Sequence, residues 1–136
     1  MQKAKLAVIA SVSIAALAGA LGVQPLLAQQ PGLSREMLQR ADLSAPGREV
    51  LMARVEIDPG AVVGRHTHPG EELGYVLEGT LVLEVEGKAP VTLNAGDYYL
   101  VPAGVVHDGR NAGSTKARAV TTHIVEKGKP LATPVK

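Results

Sequence analysis

The chain has no cysteine, tryptophan or phenylalanine, and Tyr75, Tyr98 and Tyr99 are its only tyrosines. Without cysteine there is no disulfide framework, so a small domain must hold itself together by other means. Without large aromatics its core has to be aliphatic. Lysine plus arginine (14) nearly balance aspartate plus glutamate (13), and there is no basic run. That gives no support for nucleic-acid binding. Internal repeats and low-complexity tracts are absent as well, and no helical period is sustained beyond the N-terminal region.

The 136 residues suffice for one domain. Residues 1–28 combine a short basic head, MQKAK, with the uncharged run LAVIASVSIAALAGALGVQPLLA. A basic head, an apolar stretch and a small residue at its end describe a secretory signal peptide. Cleavage is expected after Ala28, with Ala20 as an alternative, which places the product in the periplasm or outside the cell. An uncleaved membrane anchor is the competing interpretation, since the run is long enough to span a bilayer; after cleavage no membrane association is expected. The leader takes Lys3 and Lys5 with it, so basic and acidic residues stay close to balance.

Residues 29–47 form an N-terminal arm with one short strand expected near Met37–Leu43. From Arg48 the pattern has period two: Leu51, Ala53, Val55 and Ile57 fall on one face, Arg54 and Glu56 on the other. Further strands are expected at Ala61–His68, Glu72–Glu78, Thr80–Glu86, Val91–Leu93, Tyr98–Val101, Val105–Arg110 and Lys116–Val125. Glycine, proline or asparagine separates nearly all of them. Many short strands at this spacing indicate an all-β sandwich or barrel. The domain runs from 48 to 126, and residues 127–136 are a polar, proline-bearing tail expected to lie extended on the surface.

The stretch GRHTHPGEE, residues 64–72, sets His66 and His68 on one face of a strand. Pro69-Gly70 is expected to turn the chain into an antiparallel partner carrying Glu71 and Glu72, only one of which can share the histidines' face. Alone this is a weak signal, matched by an edge strand with adventitious histidines. GDYYLVPAGVVHDGRN, from Gly96, then supplies a third imidazole, His107, just after a Pro102-Ala103-Gly104 turn. Three neutral imidazoles and a carboxylate suit a divalent transition metal.

These two stretches resemble the motifs of the cupin superfamily, G(x)5HxH(x)3–4E(x)6G and G(x)5PxG(x)2H(x)3N. The first reads Gly60, His66, His68, Glu72, Gly79 and the second Gly96, Pro102, Gly104, His107, Asn111, with every fixed position present. The resemblance implies a single-domain jelly-roll barrel of two antiparallel sheets. It also implies one divalent metal (Fe, Mn, Ni, Cu or Zn) held by His66, His68, Glu72 and His107. The three-residue spacing selects Glu72 over Glu71. Gly60, Gly79, Gly96 and Gly104 are then turn glycines, Pro102 sets the turn before His107, and Asn111 stabilises a turn.

Other residues are less determined. His123, in AVTTHIVEKG, is a candidate for the pocket or a partly exposed strand position. Tyr98 and Tyr99 have opposite parity, so one should point inward. Tyr75 should face away from the metal and pack between sheets or subunits. Arg65, Asp108 and Arg110 flank ligands but alternate away from them, as solvated charges or salt-bridge partners. LGYVL, residues 73–77, is apolar on both faces and needs a cover; another subunit is the preferred one, which makes a homodimer.

A shell of three histidines and one glutamate leaves two octahedral positions open. The resemblance allows dioxygenases, isomerases, lyases and non-catalytic binding proteins. Export favours a reaction without an organic cosubstrate: dioxygen insertion into a small chelating oxygenated molecule, with Glu72 accepting its proton, or metal-assisted proton transfer by an isomerase or lyase. A metal- or ligand-binding protein without turnover is the alternative from another class.

Overall fold

Residues Ala117–Glu126 alternate strictly between buried and half-buried positions, as expected of a strand with one fully packed face. The computed structural model describes residues 30–136; the expected leader, residues 1–28, lies outside them. Ten strands follow in order: β1 (Leu33–Asp42), β2 (Arg48–Ile57), β3 (His66–Thr67), β4 (Gly70–Glu78), β5 (Thr80–Val85), β6 (Val91–Asn94), β7 (Tyr98–Val101), β8 (His107–Arg110), β9 (Ala117–Glu126) and β10 (Thr133–Pro134). They form two five-stranded sheets, ordered β1-β2-β9-β4-β7 and β10-β3-β8-β5-β6, with every pairing antiparallel. This is the all-β jelly roll that the strand pattern and the motifs imply.

The expected face of β2 is the inner one: Leu51, Ala53, Val55 and Ile57 are all buried. The arm differs from expectation. Its strand is ten residues long rather than a short piece at 37–43, and it pairs with β2 along its whole length. Leu33, Arg35 and Met37 lie opposite Ile57, Val55 and Ala53 and so face inward with them. A bulge at Leu38 then shifts the parity, and Arg40 rather than Gln39 faces inward opposite Leu51. One inserted residue breaks the alternation that pattern reading depends on.

The tail also joins the fold. Thr133 and Pro134 pair with Thr67 and His66, and Val135 N donates to Arg65 O at 2.9 Å. The expected strand at Ala61–His68 is reduced to two residues and a bridge between Val62 and Arg110, interrupted by Gly64 at φ +92°. Pro69-Gly70 does not make a hairpin. The chain crosses there from the second sheet to the first, where β4 pairs with β9 and β7. A Cβ on Gly70 would run into the Ile124 carbonyl, so close strand packing requires glycine at the crossing.

The aliphatic core gathers Leu33, Val55, Ile57, Val76, Leu81, Leu93, Ala117 and Ala119 at one end of the barrel. Asn111 closes that end, 1% exposed. Its amide donates to Ile57 O at 2.9 Å and Thr115 O at 2.7 Å, and its oxygen accepts from Gly113 N at 2.9 Å. The expected turn role is therefore met. Toward the other end the inner faces carry Ala53, Thr121 and Gly74 where larger side chains would fill the space. With no phenylalanine or tryptophan available, the barrel keeps a cavity of about 750 Å³.

Candidate metal centre

Three strands and the segment that crosses between the sheets bring the cluster together. His66 is in β3 and lies directly opposite His107 of β8; His68 follows β3 in the crossing segment. Glu72 comes from the other sheet, on β4, opposite His123 of β9 and Val101 of β7. The carboxylate thus meets the histidines across the sandwich, not across a hairpin. Glu72, His68 and His107 are buried, His66 is half-buried, and Glu71 is exposed.

Each imidazole is oriented by its outer nitrogen. His66 Nδ1 lies 2.6 Å from Gly64 O, His68 Nδ1 2.6 Å from Leu131 O, and His107 Nδ1 2.9 Å from Val105 O. A carbonyl can only accept, so all three Nδ1 atoms carry hydrogen and donate. Neutral rings would then aim three Nε2 lone pairs inward, at each other and at a carboxylate. His66 Nε2 is 3.1 Å from His68 Nε2, and Glu72 Oε2 is 2.9 Å from both His68 Nε2 and His107 Nε2. Such a convergence of lone pairs is unfavourable unless a proton or cation sits among them.

The spacing itself fits an ion. Metal–nitrogen bonds of about 2.0–2.1 Å at right angles would separate neighbouring ligand atoms by about 3 Å. The four ligand atoms of His66, His68, Glu72 and His107 all lie within 4.8 Å of one another. The set has the composition and spacing of a divalent transition-metal site, with nitrogen and oxygen donors only.

Burial acts to raise the Glu72 pKa, but hydrogen bonds from His107, His123 and His68 overcome it and hold the carboxyl well below its ordinary value. Burial acts to lower that of His107, and the bond to Glu72 reverses this, leaving it raised. Without metal, the contact between the two therefore favours a protonated His107 beside an ionised Glu72. His66 behaves oppositely: burial drives its pKa down to about 4.

Tyr99 is the inward member of the tyrosine pair, and Tyr98 is 79% exposed. Tyr99 lies opposite Gly74, where a Cβ would collide with its ring, and its hydroxyl donates to Glu72 Oε1 at 2.8 Å. Sequence parity left this assignment open. His123 lines the cavity; its ring centroid is 4.4 Å from that of His68 and its Nε2 is 3.5 Å from Glu72 Oε2. Arg65 and Arg110 pair with Glu86 and Glu84 at 3.2 Å. Asp108 instead accepts from Gly64 N at 2.9 Å, fixing the loop whose carbonyl orients His66. The sequence offered no sign that Leu131 or Arg35 would reach the cavity.

An antiparallel jelly roll with a cluster of three histidines and one glutamate defines a metal-binding β-barrel protein. The cupin domain family matches residues 53–123, and the chain belongs to it. It is 38% identical over 88 residues to germin-like protein subfamily T member 2 of Arabidopsis thaliana, covering 59% of this chain and 40% of that one. It is 41% identical over 66 residues to an oxalate-binding protein of Thermotoga maritima, covering 48% and 54%. In structure it resembles a cupin-like protein of Thermotoga maritima, with a TM-score of 0.63, 23% identity, and coverage of 76% and 75%. The chain spans about half the length, or less, of the curated relatives it matches.

Proposed function

We propose that the chain is an exported dioxygenase that holds one divalent metal on His66, His68, Glu72 and His107 and acts on a small oxygen-bearing chelator. The observation that carries this reading is a four-donor cluster opening onto a cavity of about 750 Å³. Four donors leave two positions of an octahedral ion free for substrate and dioxygen. Bound there, Fe, Mn, Ni or Cu would supply Lewis acidity and redox chemistry, whereas Zn would supply Lewis acidity alone. The chain's own residues exclude bulk water, present the aliphatic wall of the barrel, and place Glu72 to take the ligand's proton. A relative named for binding oxalate, itself a chelating oxyanion, supports a ligand of this kind.

A second reading, ligand binding without turnover, is favoured by the state of Glu72. Its Oε1 accepts from Tyr99 and its Oε2 faces His68 and His107, and a carboxylate held this way is a weak base. Anaerobic loading with each metal, followed by panels of enols, catechols and flavonols, separates the two. Oxygen uptake that vanishes in Glu72→Gln at full metal occupancy supports the dioxygenase. Tight binding without turnover in every metal form selects the binding protein. Glu71→Ala should leave occupancy nearly unchanged while His107→Ala lowers it sharply; equal losses from Glu71 and Glu72 substitutions would defeat the proposed ligand set.

Export rests on residues 1–28. N-terminal sequencing of the periplasmic or secreted protein should start at or near Gln29, and full-length chain in the membrane fraction would oppose it. A homodimer is supported by the outer face of β4 and β7. Leu73, Tyr75, Leu77, Tyr98 and Leu100 are 43–79% exposed there, and neither the arm nor the tail covers them.

A further inference from the structure

Arg35 stands on the inner face of β1, in the row Val55, Ala119 and Val76 that crosses the sheet. These neighbours are short, and a guanidinium at this position can extend over them. Arg35 lines the cavity that holds the histidine cluster. It is half-buried, and among the described residues it makes no hydrogen bond and no ion pair. Burial pulls its pKa below the ordinary arginine value, against the opposing pull of Glu72 and Tyr99. The charge is therefore partly desolvated, lies near the cluster, and has no carboxylate of its own.

The other charges on the cavity wall are satisfied. Glu49, 5% exposed, receives two bonds from Arg40, at 2.7 and 3.0 Å. Lys129 meets Glu126 at 2.5 Å. A divalent ion on the cluster would outweigh the single charge of Glu72, so the cavity would carry two positive charges in excess, one at the metal and one at Arg35. A partly buried cation without a counter-charge is costly; a ligand that supplies the anion removes that cost. The remaining wall is aliphatic, including Leu33, Val55, Leu81 and Leu93. The volume also lies within the roughly 300–1,000 Å³ of pockets for drug-sized ligands, far more than a two-carbon dicarboxylate fills.

We infer that Arg35 is an anion anchor, and that the ligand is a carboxylate with an apolar body whose charged end lies between Arg35 and the metal. This rests on the metal reading above. Arg35 is a positioning and specificity residue, donating a planar pair of N–H groups that matches a carboxylate.

The test uses the mature chain loaded with Co(II), whose visible spectrum reports ligand entry, titrated with phenylglyoxylate and with its methyl ester. The unmodified protein should bind the acid more than about tenfold tighter than the ester. Arg35→Met should weaken the acid by about 10- to 100-fold and leave the ester within about twofold. Arg35→Lys should fall between, keeping the charge without the fork. Because Arg35 has no internal partner, the metal-free Arg35→Met protein should melt no lower than the original. No acid preference in the unmodified protein, or equal losses for acid and ester, would overturn the anchor while leaving the metal site standing. Failure of every form to retain metal would overturn the metal reading itself, and the anchor with it.

Discussion

Tyr99 lies over Gly74, its partner in the β4–β7 register, and through that gap donates a hydrogen bond of 2.8 Å to Glu72 Oε1. A residue without a side chain therefore makes room for the ring that holds the carboxylate two residues earlier on the same strand. Tyr99→Phe should lower metal affinity by about 10-fold, near the lower end of what partners of metal ligands usually contribute. Gly74→Ala should do at least as much and also destabilise the fold by about 1–3 kcal/mol through overpacking. Metal competition titrations and urea melts measure the two effects separately; unchanged affinity in Tyr99→Phe would show that the hydroxyl does not tune the site.

Metal-free protein should be most stable near pH 6.5. His107 has a raised folded pKa, so its contribution is complete below the ordinary value of 6.5 and is lost as pH rises through the folded value. His66 has a folded pKa depressed to about 4, so stability falls as pH drops from 6.5 toward 4. Glu72, held low, adds a loss only at more acid pH. Urea midpoints across this range should show both arms; His107→Ala should remove the alkaline one and His66→Ala the acid one. Because the raised His107 must lose its proton to ligate, metal binding should release more protons as pH falls, read by calorimetry in buffers of different ionisation enthalpy.

Deleting residues 128–136 removes the Leu131 carbonyl that accepts from His68 Nδ1 at 2.6 Å, together with β10. Metal affinity should fall by about 10- to 100-fold, and the cavity should open to quenchers. Retained affinity in the truncated chain would mean that His68 finds its orientation from β3 alone.

Asn111→Ala leaves Ile57 O, Thr115 O and Gly113 N without the partner they share. Buried groups stranded in this way should cost roughly 2–4 kcal/mol. Denaturant unfolding measures the loss, while ligand-atom geometry in the folded fraction, read from the Co(II) spectrum, should be unaltered.

For the dimer, light scattering should report about twice the mature mass. Tyr75→Asp should shift it toward monomer, because it places a charge in the contact. A monodisperse monomer before substitution would remove the proposed interface.

The sequence by itself determined the all-β class, the inward face of β2, the spacing that brings His66, His68, Glu72 and His107 together, and the turn role of Asn111. The first two follow from short-range rules, period-two alternation and turn residues at fixed offsets, whereas the ligand set and the role of Asn111 are what the resemblance to the two cupin motifs implies. Only the tertiary structure decided that Tyr99 rather than Tyr98 turns inward, that His123 faces the cavity, and that Pro69-Gly70 carries the chain between sheets. It also built the arm and the tail into the barrel. In β1 a bulge conceals the alternation, and β10 pairs through two residues too few to show any period. Arg35 and Leu131 reach the cavity through pairings between residues far apart in the chain. Such pairings are set by packing two whole sheets together, and no local pattern encodes them.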